Sequence, residues 1–232
     1  AASAGQADFD RMIYKVTPGM SSFWGSLKIY FAVSNEYVGR KLRLLLFPWR
    51  NKTWGRIPLD DGGRGTGGAM DSEGGYKWCP PRHDVNAPDL YVPMMAFITY
   101  VLLVGYWKGT SGAFTPETLV RCVWCCLICQ LLEVGAVKVG LNIMGAPTDV
   151  LDVVAYTGYK YIGLACTIPA SLLLGKVLFV LFSFYVTIAL GFFLLKTLAE
   201  ATPKISYGPP RWMMISGFAG LEIVVSLMLA FL

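Results

Sequence analysis

Five apolar stretches constrain the fold of this chain more than any other feature. They cover residues 91–107, 119–144, 150–174, 177–195 and 212–232. The first and fourth carry no charge. The second contains Arg121, Glu133 and Lys138, the third Asp152 and Lys160, and the fifth only Glu222. A bilayer core takes about 20 residues of helix, with a range of about 17–25. Backbone in lipid must satisfy its own hydrogen bonds, so segments of this kind cross as helices. Composition agrees: 55% of the 232 residues are hydrophobic and 15% charged, against about 45–50% and 25% in a soluble domain. The expected fold class is all-α, a polytopic membrane protein. Five transmembrane helices over 91–232 are preceded by a cytosolic amphipathic helix and a flexible loop.

Residues 1–22 read as a polar tail without the apolar core of a signal peptide. Residues 23–49 read as one basic amphipathic interfacial helix. Phe23, Leu27, Phe31, Val38, Leu42 and Leu45 recur at mostly helical steps, a serine at 21 or 22 is the expected N-cap, and Pro48 the stop. Residues 50–90 form a Gly/Pro-rich cytosolic loop, with "DDGGRGTGGAMDSEGG" at 60–75 as its flexible core. Between residues 23 and 56 stand seven basic side chains and one acid, Glu36, whereas the rest of the chain is close to neutral. A basic patch beside apolar spans points to anionic lipid headgroups rather than nucleic acid. Arg40, Lys41 and Arg43 are expected to face those headgroups. The same patch places the N-terminus in the cytosol and, with five spans, the C-terminus in the lumen. Asn51-Lys52-Thr53 is a glycosylation sequon, and a glycan there would invert that topology.

Catalytic patterns do not hold up. Gly109-Thr110-Ser111-Gly112 matches the GxSG nucleophile motif of rhomboid proteases, but the only histidine is His83, before the first span. A serine nucleophile needs a base, so the tetrapeptide reads as a turn. Asp149 and Asp152 lie at one helix entrance, where acids favour the N-terminus. "GGRGTGG" lacks the strand and GK[ST] of a phosphate loop. Glu133, Lys160 and Glu222 are the intramembrane polar residues. A Glu133–Lys160 pair would offset the desolvation of each, as a link between helices or, alternatively, as part of an ion path. Cys122, Cys125, Cys126 and Cys129 fall at i, i+3, i+4 and i+7. On a helix they spread over roughly 10 Å at about 1.5 Å rise per residue, too far to enclose one tetrahedral metal ion. They read as a helix-packing face. No metal or cofactor is expected.

Two segments are more specific: "DVNAPDLYVPMMAFITYVLL" (84–103) and "AYTGYKYIGL" (155–164). An Asp-Leu-Tyr-x-Pro lead-in to the first span followed by Gly-Tyr-Lys-Tyr on the third resembles the YIP-interacting factor (YIF) family. This family belongs to the five-span Ypt/Rab-interacting membrane proteins. "YFAVSNEYVGRKLRLLLFPW" (30–49) and "LLEVG" (131–135) fit the same resemblance, which covers roughly residues 23–200. It implies a non-enzymatic protein of endoplasmic reticulum and Golgi membranes that pairs with a YIP-type five-span partner, engages prenylated Rab/Ypt GTPases and enters COPII vesicles. The motif positions are Asp89, Leu90, Tyr91, Pro93, Gly158, Tyr159 and Lys160, in partner binding or in helix capping and packing. The alternatives are a structural subunit of a larger membrane complex reusing the same fold, or a small transporter or channel using Glu133 and Lys160.

Overall fold

The computed structural model describes residues 27–57, 79, 81–146, 148–202 and 210–231. All regular structure among them is helical. After a helical turn at 27–30, α1 spans Asn35–Leu46 and a 3-10 turn follows at Pro48–Arg50. Next come α2 (Tyr91–Thr110), α3 (Pro116–Ile143), α4 (Val150–Gly158), α5 (Lys160–Ala201) and α6 (Arg211–Ala230). The tail at 1–22 and the Gly-rich core at 60–75 lie outside the described residues.

The amphipathic segment is not one helix. The chain leaves helical geometry over residues 31–34. Ser34, extended at φ −113° and ψ 157°, then restarts it by accepting the Tyr37 N–H at 3.2 Å. Serine at an N-cap satisfies a donor that the helix cannot. Hydrophobic periodicity runs through such a break unmarked, so the expected single helix is corrected to a turn and a separate α1. At the other end Phe47 (φ −131°, ψ 60°) leaves helical geometry before Pro48, as the residue preceding a proline is pushed to do.

α5 contains a reversal. Gly175 takes φ 76° and ψ 172°, a conformation open essentially to glycine alone. The arms on either side of it fold back on one another. A side chain at Gly163 would meet Val186 Cγ1 at 2.5 Å and Leu190 Cδ1 at 2.7 Å, so the arms touch where glycine permits close approach. The third and fourth apolar stretches thus meet around Gly175 and Lys176. α5 also packs along α2 and α6, α1 rests on α5, and α4 lies against α3.

Four helices among the described residues are long and apolar enough to cross a bilayer: Tyr91–Thr110, Pro116–Ile143, Val177–Ala201 and Arg211–Ala230. The stretch 150–174 is helical too, but the helix is interrupted at Tyr159. There the Ile162 N–H bonds back three residues to Tyr159 O at 3.0 Å, and α4 has only 9 residues. The exterior is strongly apolar: Leu131, Leu173 and Val177 are 74%, 82% and 75% exposed. Such a surface is costly in water, at roughly 25 cal/mol per Å², and suited to lipid.

Candidate functional site

The polar chemistry of the molecule is interior and lies in two layers. The first joins α1 to the bundle where α2 begins. Asp89 is fully buried. Its Oδ1 accepts the Val92 N–H at 2.8 Å, which caps the first turn of α2. Its Oδ2 accepts from Tyr159 OH at 2.6 Å and lies 2.9 Å from Tyr37 OH. The Asp89 N–H in turn donates to Tyr159 OH at 3.1 Å. One carboxylate therefore ties α1, α2 and the α4–α5 junction together. The interruption at Tyr159 sits where that side chain meets Asp89.

Lys41 completes this layer. It is wholly buried and donates to Val85 O (2.8 Å) and Ala87 O (2.9 Å). Its ammonium lies 4.9 Å from the Tyr159 ring centre and 5.7 Å from that of Phe193, geometry in which aromatic faces attract cations. Burial lowers its pKa to about 8, against the opposing pull of Asp89 and Asp84. Burial and then Asp89 push the Tyr37 phenol up, so it remains a neutral donor. Tyr30 behaves likewise: its phenol is raised by burial and by Asp152, to which it is hydrogen-bonded. Arg56 pairs with the same carboxylate at 3.2 Å. Asp84 accepts the N–H groups of Ile57 and Asn86, both at 2.9 Å.

The expectation that Lys41 faces headgroups is therefore overturned. It stands on the inner side of α1 because Ala87, Val85 and two aromatic rings receive it there. Arg40 and Arg43 are exposed on the outer side. The motif residues are mostly interior. Asp89, Pro93, Gly158, Tyr159 and Lys160 are buried, and Leu90 and Tyr91 are half-buried. Gly158 lies so close to Pro93 that an added Cβ would stand 2.8 Å from the proline Cβ. Most of these residues thus serve to hold the chain together, and Leu90 and Tyr91 keep part of their surface open.

The second layer lies deeper. Glu133 of α3 and Lys160 of α5 form an ion pair, both almost entirely buried. Glu222 of α6 is buried within electrostatic reach of both. Glu133 Oε1, Glu222 Oε2 and Ser226 Oγ have no hydrogen-bond partner among the described residues. Next to this layer Tyr161 OH donates to Cys126 O at 3.0 Å, and Tyr100 OH to Leu229 O at 2.9 Å. Cys122 and Cys126 are buried in that cluster while Cys125 and Cys129 are half-buried, all as free thiols.

Sequence reasoning did not find Tyr37, Tyr30 or Asp152 as network members. The available signal was a tyrosine one helical turn before Lys41. The Ser111 hydroxyl bonds to Trp107 O at 2.9 Å, and Gly112 turns the chain at φ 67°. The 20 residues of α2, about 30 Å at 1.5 Å per residue, separate this turn from Asp89. No group of histidine, cysteine and acidic side chains suited to a metal ion occurs among the described residues.

Comparison with known proteins gives a consistent answer. The sequence profile of the YIF1 family matches residues 1–206. Protein YIF1B-B of Xenopus laevis is 35% identical over 200 residues, 85% of this chain and 60% of the relative. Protein YIF1B of Homo sapiens is 39% identical over 174 residues, covering 74% of this chain and 51% of its own length. Protein transport protein YIF1 of Saccharomyces cerevisiae is 35% identical over 205 residues, 83% and 60% of the two chains. The chain thus spans about 60% or less of these relatives. No solved structure matches it. With the Asp-Leu-Tyr-x-Pro and Gly-Tyr-Lys-Tyr segments joined through Asp89 and Tyr159, and the profile matching most of its length, the chain belongs to the YIF1 family.

Proposed function

We propose that this chain is a non-enzymatic, five-span component of vesicle traffic between endoplasmic reticulum and Golgi. The observation that carries the reading is its 35% identity, over most of its length, to proteins of Saccharomyces cerevisiae and Schizosaccharomyces pombe named protein transport proteins. The fifth span is the interrupted segment 150–174, with the N-terminus cytosolic and the C-terminus lumenal. In this reading the buried layer around Asp89 and Lys41 fixes α1 rigidly against the bundle. The outer face of α1, with Arg40 and Arg43, meets anionic headgroups and the cytosolic partners, a YIP-type five-span protein and prenylated Rab GTPases. Rigid attachment favours this role, because a preorganised surface loses less entropy on binding.

The test is purification of the full chain from its native membranes, followed by identification of the chains that accompany it. Recovery of a YIP-type protein and Rab GTPases supports the proposal. Stoichiometric recovery within an unrelated membrane complex would instead assign it as a structural subunit of that complex. A glycan on Asn51 in cells would invert the proposed topology.

A further inference from the structure

A cleft of about 730 Å³ runs along the outer side of α1, between that helix, the 3-10 turn and the 83–86 loop. Arg40, Arg43 and Arg50 line it together with His83, and Phe47 contributes an apolar edge. Its one lining carboxylate among the described residues, Asp84, is 3% exposed and turned onto the backbone N–H groups of Ile57 and Asn86. Arg40 has Glu36 at 3.6 Å, a pair open to solvent on both sides. No carboxylate among the described residues pairs with Arg43 or Arg50. The cleft is thus a cationic recess whose walls are already held in place.

Its position identifies the occupant. Trp49 lies 5.8 Å from both Tyr185 and Phe192, and Phe47 lies 6.4 Å from Tyr185. Both partners sit on the apolar helix Val177–Ala201. Tyr185 OH also donates to Leu46 O at 2.9 Å. The far end of α1 is therefore fastened beside a span, and Phe47 and Trp49 are about half exposed, as the apolar face of an interfacial helix would be. Arg40, Arg43 and Arg50 line the cleft that Phe47 edges. Guanidinium groups bind phosphate through paired, charge-assisted hydrogen bonds, and three around one recess match a headgroup carrying several phosphates.

We propose that this cleft is a headgroup site for a multiply phosphorylated phosphoinositide, whose acyl chains pass over Phe47 and Trp49 into the bilayer. The proposal rests on the reading of α1 as a membrane-surface helix and goes further, to one lipid class and one recess.

The full chain is reconstituted in phosphatidylcholine bilayers containing either phosphatidylinositol bisphosphate or phosphatidylserine at equal total charge. Lipid retained after mild extraction is counted by native mass spectrometry. The expected result is preferential retention of the phosphoinositide, falling about tenfold per arginine removed in Arg43→Gln and Arg50→Gln. The charge-preserving double variant Arg43→Lys/Arg50→Lys is expected to recover only part of it, because lysine lacks the planar fork. Elution volume confirms that each variant folds. Equal retention of both anionic lipids overturns the cleft assignment while leaving α1 at the membrane surface. Retention of neither overturns both. Soluble inositol trisphosphate binding as tightly as the lipid would place the ligand in solution and overturn the lipid assignment. Unchanged retention in the glutamine variants with loss of Rab capture would give the cleft to a protein partner and overturn it too.

Discussion

Replacing Tyr159 by phenylalanine removes one oxygen from the layer that joins α1 to the bundle. That oxygen donates to Asp89 Oδ2 at 2.6 Å and accepts from the Asp89 N–H at 3.1 Å. The first is a charge-assisted bond, worth about 1.5–3 kcal/mol, and a buried N–H left without a partner costs about 1–3 kcal/mol. The ring itself stays, so the contacts with Lys41 at 4.9 Å and Phe193 at 5.5 Å remain. Asp89 keeps Tyr37 and Val92. Because the terms overlap, the expected cost is about 2–4 kcal/mol, or roughly 4–16 °C of melting temperature in a chain of this size. The assay is fluorescence-detected size exclusion after heating in lipid nanodiscs, with Tyr106→Phe, 61% exposed, as the reference. A second readout is hydrogen exchange over α1, which should accelerate, since the lost bond lies beside its tether. Melting of Tyr159→Phe within about 1 °C of Tyr106→Phe would refute the reasoning, because exposed substitutions stay within about 0.5 kcal/mol. A lower melting temperature with unchanged exchange in α1 would refute the tethering.

Two further outcomes are expected. Lys41 has a folded pKa of about 8 against about 10.4 unfolded. Between these values the unfolded chain binds more protons, so stability rises with pH. The desolvation penalty is complete below about pH 8 and is relieved above it. The melting temperature of the native chain relative to Lys41→Met should therefore climb between about pH 8 and pH 10, in a stepped-pH melting series; a flat difference would contradict it. The Glu133–Lys160 pair predicts a strong non-additivity. Glu133→Gln or Lys160→Met alone should cost about 3–5 kcal/mol by leaving one buried charge, whereas the double variant should cost clearly less. Additive losses in the thermal double-mutant cycle would show that the two charges do not compensate each other.

The helical architecture was legible from residue order because apolar length is a local property: 91–107 and 119–144 already mark α2 and α3. The meeting point around Gly175 and Lys176 was legible too, since two apolar stretches with no loop between them require a residue that can reverse the chain. The Glu133–Lys160 pair followed from electrostatics, as two opposite charges placed in neighbouring apolar helices have few other partners. The break at residues 31–34 was not legible. Periodicity continues across it, and the tyrosines on either side, Tyr30 and Tyr37, reach Asp152 and Asp89 far along the chain. The direction of Lys41 was equally hidden. A lysine among arginines on an amphipathic helix reads as solvated, and only the carbonyls of Val85 and Ala87 and the ring of Tyr159 draw it inward.

What the sequence determined alone is which segments are helical and, for four of the five apolar stretches, that the helix is long and apolar enough for a bilayer, because hydropathy and helix length are set by neighbouring residues. What the tertiary structure decided is which polar groups face inward. Asp89, Tyr159 and Lys41 exchange water for one another only when three distant segments meet, and that exchange turns the motif residues from a surface into a joint.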